Sequence, residues 1–181
     1  SNKHIAVDQI GGEYIFSDPT VFTCLANSIF HMEHNSSVRV EGLDSDFVLK
    51  SGSRLEIHDG AEFIVGYGGR LIVEDGAEIA LHDGGKIIIE DGGEMIYENT
   101  NLGSPMQLGS FGSTGTQGEL RIHGTLTVKD NTVLDADGNG YVHFMPFHTL
   151  DLQGNSYVRL FGEDKNKKML EVAAGATLTL D

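Results

Sequence analysis

The sequence predicts an all-β fold in which the chain winds repeatedly around one axis, and three observations carry that prediction. The first is a repeat: residues 53–100 are one eight-residue phrase written six times, SRLEIHDG, AEFIVGYG, GRLIVEDG, AEIALHDG, GKIIIEDG and GEMIYENT. The second is alternation within the phrase. Its third and fifth residues are apolar, as in Leu55 and Ile57, Phe63 and Val65, or Ile87 and Ile89, and period two marks a strand with one buried face. The third is punctuation: five of the six phrases close on glycine, four of them after aspartate, and Asp-Gly turns the chain because it tolerates positive φ. A strand and a corner every eight residues leave no length for a crossover helix. The chain therefore coils in one sense, as a single-stranded parallel β-helix, or solenoid.

Stacking makes such a phrase stable. One strand cannot bury its apolar edge alone, whereas stacked coils enclose two side chains per phrase, each contributing roughly 1.5–3 kcal/mol. Two phrases per coil give 16 residues and a flattened section, and three give 24 and a three-sided one. The outward polar column favours the larger coil, since His58 and His82 stand 24 apart, as do Glu74 and Glu98.

Residues 1–35 do not follow the octad and are expected to form an N-terminal cap or an irregular first coil, because the open end of a solenoid exposes unpaired backbone. Two local readings compete. Asp18-Pro19 is a helix start, followed by Val21, Phe22, Leu25 and Ile29 at near-helical spacing; alternatively, residues 13–16, 20–23 and 28–32 are strands rich in β-formers. From 36 to 181 the chain is expected to be parallel β-helix, entered by the inward pairs Val38 and Val40, then Phe47 and Leu49. Residues 101–117, NLGSPMQLGSFGSTGTQ, predict an insertion loop leaving the stack at a corner. Residues 162–168, GEDKNKK, predict a charged loop, and the finish in mid-phrase at ATLTLD leads to the expectation of further domains or a partner.

A chain of 181 residues is one domain with room for a substantial core. Its net charge of −15 argues against nucleic acid and anionic membranes as partners. No apolar run is long enough to insert into a membrane. Cys24 is alone, so no internal disulfide forms.

The stretch GGRLIVEDGAEIAL (68–81), with SGSRLEIHDGAEFIV before it, resembles the repeats of right-handed parallel β-helix proteins of the pectin-lyase-like class, of the secreted and cell-surface type common in Bacteroidetes. The likeness covers roughly residues 36–160. It implies right-handed winding and an exported, modular protein, extracellular or at the cell surface; relatives of that class include polysaccharide lyases and glycosidases as well as adhesins and spacers. The polygalacturonase kind carries Asn-Thr-Asp, Asp-Asp and Gly-His-Gly, since inverting hydrolysis needs two carboxylates with room for water, and none of these strings occurs here. The pectate-lyase kind needs a basic residue over a calcium-bound sugar, yet Arg54 and Arg70 fall on different faces of the octad. No catalytic residues are assigned.

Metal ligands are the remaining chemistry. His58, His82 and His123 are expected to share one corner at the ~4.8 Å spacing of rungs, because His123 lies 41 beyond His82, one coil plus the 17-residue insertion. Imidazoles so placed can share zinc, nickel or copper; equally, they form a polar column with no metal. His31 and His34 around Glu33 are a second ligand group. Asp59, Asp75, Asp83 and Asp91 raise calcium, but the calcium-binding nonapeptide has period nine, and turn chemistry accounts for aspartate before glycine. No cofactor is expected otherwise.

Two further surface features bear on partners. Ile64 with Ile88, and Ile72 with Ile96, would form outward apolar ladders. Tyr67, Tyr97, Tyr141, Tyr157 and Phe161 are candidate sugar-stacking faces. The reading these features favour is a non-catalytic module of an exported bacterial surface protein, a rigid spacer or adhesive surface meeting polysaccharide or another surface protein. The alternatives are a carbohydrate-active β-helix and a self-assembling polymer in the manner of bactofilins.

Overall fold

A computed structural model describes residues 3–7, 11–82 and 84–98, together with 106–107, 119–122, 124–128, 133–137, 141–144, 149–153, 157–160 and 170–172. The strands arrive three to a coil. The first coil takes β1 (Lys3–Val7), β2 (Glu13–Ser17) and β3 (Val21–Cys24). The second takes β4 (Ser28–Met32), β5 (Ser37–Glu41) and β6 (Ser45–Leu49), and the third β7 (Arg54–Ile57), β8 (Glu62–Val65) and β9 (Gly69–Val73). The fourth holds β10 (Glu78–Leu81), β11 (Lys86–Ile89) and β12 (Glu94–Tyr97). Then come β13 (Met106–Gln107), β14 (Glu119–Ile122) and β15 (Thr125–Val128), followed by β16 (Val133–Asp137), β17 (Tyr141–Phe144) and β18 (Thr149–Leu152). β19 (Tyr157–Leu160) and β20 (Leu170–Val172) complete the described strands.

Every third strand joins the same sheet. The first sheet runs β1-β4-β7-β10-β13-β16-β19, the second β2-β5-β8-β11-β14-β17-β20, and the third β3-β6-β9-β12-β15-β18. All the pairings are parallel, and the register is that of a three-sided coil: Leu55 opposes Ile79, Phe63 opposes Ile87 and Leu71 opposes Met95, each 24 residues on. The 16-residue coil is thereby excluded.

Residues 13–32 settle the competition between helix and strand. β2, β3 and β4 take their places in the three sheets, and no helix occurs among the described residues. The octad is hidden there because Asp18 and Asn27 stand at corners with positive φ, 24° and 60°, where later corners have glycine; Asn and Asp visit that region through local side-chain hydrogen bonding. Within 101–117, expected as a loop, β13 lies in the first sheet between β10 and β16.

The third and fifth octad residues fill the core. Leu55, Ile57, Phe63, Val65, Leu71 and Val73 are wholly enclosed, and Ile79 nearly so. Phe16, Phe22, Phe30, Phe47 and Phe63 pack as one ring cluster at its upper end. The first octad position is also buried, and it must be small. Ser53, Ala61 and Ala77 occupy it, or glycine does, as at Gly85, where a Cβ would stand 2.1 Å from the Ile57 carbonyl oxygen of the coil above. A turn closes each phrase just before that residue, with the amide of Ala61 donating to His58, that of Ala77 to Glu74 and that of Gly85 to His82.

The outward apolar ladders are only half-exposed. Ile64 opposes Ile88 and Ile72 opposes Ile96 as expected, but Ile64 is just 8% exposed. Arg39, its partner in the coil above, extends over this face to Glu90. Gly66 leaves room for it, since a Cβ there would lie 3.0 Å from Arg39 Nη1. Tyr97 is 2% exposed within the core and offers no sugar-stacking face, whereas Tyr67 is 73% exposed.

Candidate functional site

The titratable side chains converge at the corner between the first and second sheets. β4 alternates inward Phe30 and Met32 with outward Ile29 and His31, and β7 alternates inward Leu55 and Ile57 with outward Arg54 and Glu56. Their register sets His31 directly opposite Glu56. Beyond the strands, the amide of His58 donates to the Met32 carbonyl and that of His82 to the Ile57 carbonyl, which locks each histidine one rung below its acceptor.

Three imidazoles form a stack. The His31 and His58 rings are 4.9 Å apart between centroids and the His58 and His82 rings 4.7 Å, both pairs tilted by 29°. The expected His58–His82 neighbours are thus together, and the ring on their other side is His31. His123 lies outside the described residues; the strand it follows, β14, belongs to the second sheet, while His58 and His82 follow strands of the first. Asp83 is likewise outside the described residues.

His31 is gripped from both sides. Its Nδ1 lies 3.0 Å from Glu56 Oε2 and its Nε2 2.6 Å from Glu33 Oε1. Partial burial pulls the imidazole pKa down, but hydrogen bonds to Glu33 and Glu56 outweigh it, so the group is held above its ordinary value. Glu33 is lowered chiefly by its hydrogen bond to His31. Burial works to raise Glu56, yet the His31 hydrogen bond and the charge of Arg54, whose Nε stands 3.1 Å away, bring it below the usual carboxylate range. When protonated, His31 donates one ring N–H to each of the two carboxylates.

Glu33 also leads to a second group. His34 Nδ1 is 3.7 Å from Glu33 Oε2, and ligand atoms of Glu33, His34 and Asp59 lie within 4.8 Å of one another. His34, Asn35 and Asp59 all have positive φ, 56°, 55° and 49°. Beside them, Asn35, Asp59, Glu62 and Lys86 border an open polar groove of about 490 Å³.

No protein-family model, curated protein or solved structure matches this chain.

Glu56 is the residue that sequence reasoning missed. Its signal was present: the fourth octad position holds Ile64, Ile72, Ala80, Ile88 and Ile96, and Glu56 alone is charged there.

Proposed function

We propose that this chain is a non-catalytic β-helical module of an exported bacterial surface protein, serving as a rigid spacer with an adhesive outer face. The observation that supports it most is the way surface charge is spent on tying coils together. The Arg39 guanidinium reaches Glu13 in the first coil at 3.5 Å, Glu41 in its own at 3.6 Å and Glu90 in the fourth at 2.7 Å. Asp46 and Arg70, Lys50 and Glu74, and Glu62 and Lys86 each join neighbouring coils in the same way. Isolated surface pairs contribute little, but a network on an uninterrupted core resists bending. On this reading the winding is right-handed, as parallel crossovers generally are, and of the pectin-lyase-like type.

A polysaccharide is the partner favoured by the polar groove beside the first corner, with another surface protein as the alternative. The test is incubation with a panel of acidic and neutral polysaccharides, following binding and product release together. Retention without new reducing ends or unsaturated products is expected; release of either would make the protein a carbohydrate-active enzyme. Sedimentation of the isolated chain separates a module from a bactofilin-like polymer, which would run as an extended series of oligomers.

A further inference from the structure

We propose that His31, Glu56 and His58 bind one divalent transition-metal ion, with zinc as the reference ion, and so staple the second coil to the third. One ligand atom from each of the three lies within 4.8 Å of the others. The closest pair, His31 Nδ1 and Glu56 Oε2, is 3.0 Å apart, a few tenths of an ångström inside the roughly 3.3–3.6 Å edge that two ligands make on a tetrahedral ion bonded at roughly 2.0–2.2 Å. The third donor is a ring nitrogen of His58, within 4.8 Å of both.

The donors select the ion. Two imidazole nitrogens and one carboxylate oxygen suit zinc, nickel and copper, whereas calcium and magnesium call for oxygen alone. The outer contacts fit as well. With the metal on Nδ1, the His31 Nε2–H donates to Glu33 Oε1 at 2.6 Å, the carboxylate–histidine–metal arrangement that fixes ring orientation. Arg54 Nε, 3.1 Å from Glu56 Oε1, faces the second oxygen of the ligating carboxylate as an ion pair without hydrogen-bond geometry. The His31 and Glu56 side chains are 17% and 19% exposed, which keeps the site rigid while leaving one coordination position open to water.

The neighbouring trio of Glu33, His34 and Asp59 is the rival location, with two of its three members on the exposed surface. The experiment distinguishes them. Zinc chloride is titrated calorimetrically into the full chain, with calcium chloride as the contrast, and circular dichroism verifies that each variant is folded. One zinc per chain is expected, with no comparable calcium binding. His58→Gln and Glu56→Gln should weaken zinc binding by at least about 100-fold, and Glu33→Gln, acting through His31, by about 10–100-fold. His34→Gln should bind as the unaltered protein does. Copper(II) at the same site should show two nitrogen ligands by electron paramagnetic resonance. Wild-type affinity in folded His58→Gln, loss of the ion in His34→Gln, equal calcium binding, or fewer than two nitrogens on copper would overturn the assignment.

Discussion

Replacing Phe47 by alanine tests the packing on which the coil depends. Phe47 is fully buried on β6, with ring centroids of Phe22 and Phe63 at 4.8 Å, Phe30 at 5.0 Å and Phe16 at 6.0 Å. These partners come from β2, β3, β4 and β8, so one ring joins the first three coils and all three sheets. Truncation of a buried phenylalanine costs about 3–5 kcal/mol. The upper part of that range applies here, because aromatic pairs add about 0.5–1.5 kcal/mol beyond area and a closed coil has little freedom to collapse. For a chain of this size such a loss corresponds to a fall of roughly 6–20 °C in Tm. Phe47→Leu keeps most of the apolar volume and should cost about 1–2 kcal/mol, the part owed to ring geometry. The assay is chemical and thermal unfolding followed by circular dichroism, with Val21→Ala on the exposed face as the control, expected within about 0.5 kcal/mol of the parent. A Phe47→Ala loss below about 1 kcal/mol, or equal losses for alanine and leucine, would refute a core in which five rings share one cavity.

Gly85→Ala should cost about 1–3 kcal/mol, since its Cβ would sit 2.1 Å from the Ile57 carbonyl oxygen and the rungs must part to admit it; unchanged urea denaturation would contradict the close approach. In chelator, the His31 cluster should stabilise most between about the ordinary carboxylate and imidazole values, 4.5 and 6.5. His31, raised on folding, contributes fully below 6.5 and loses its contribution as pH rises through its folded value, while Glu33 and Glu56, lowered on folding, contribute above 4.5 and lose it as pH falls. His31→Gln should flatten that part of the pH–stability curve, and a curve superimposable on the parent's would refute the grip. Burial pushes the Cys24 thiol up to about 11, so a thiol reagent at neutral pH should label it only as fast as the chain unfolds; rapid labelling of native protein would show that β3 is open.

The solenoid was legible because two periods coincide in residues 53–100, two within the strand and eight between corners. Where one period lapsed, so did legibility. In the second coil the turn before Ser36 is made by His34 and Asn35, both at positive φ, with no glycine to announce it. Phe30 opposes Leu55 at a spacing of 25 rather than 24, which blurs any search at fixed lag. The small first position was also hidden, because glycine there looks like turn chemistry when its reason is a carbonyl oxygen against the Cα. At the site, the pairing of His58 with His82 followed from spacing alone. His31 did not, because it lies on the strand face and not at the corner, and meets His58 diagonally.

The carboxylate in register with His31 is what separates a polar column from a binding site. The carbonyl contacts at Gly69, Gly85 and Gly93 hold successive rungs close, so any side chain repeated at the coil length stacks at rung spacing, near the 4.7 Å of His58 and His82. Repetition alone brings like side chains together and sets no carboxylate beside the imidazoles; His31 stacks on His58 at 4.9 Å much as His58 does on His82. His31 and Glu56 escape this because they are unlike residues in register, free to lean toward each other until their polar atoms are 3.0 Å apart. In a repeat protein, chemistry is therefore to be sought where the column is broken. Here that is the fourth octad position, where one glutamate replaces an apolar residue and a histidine stands above it.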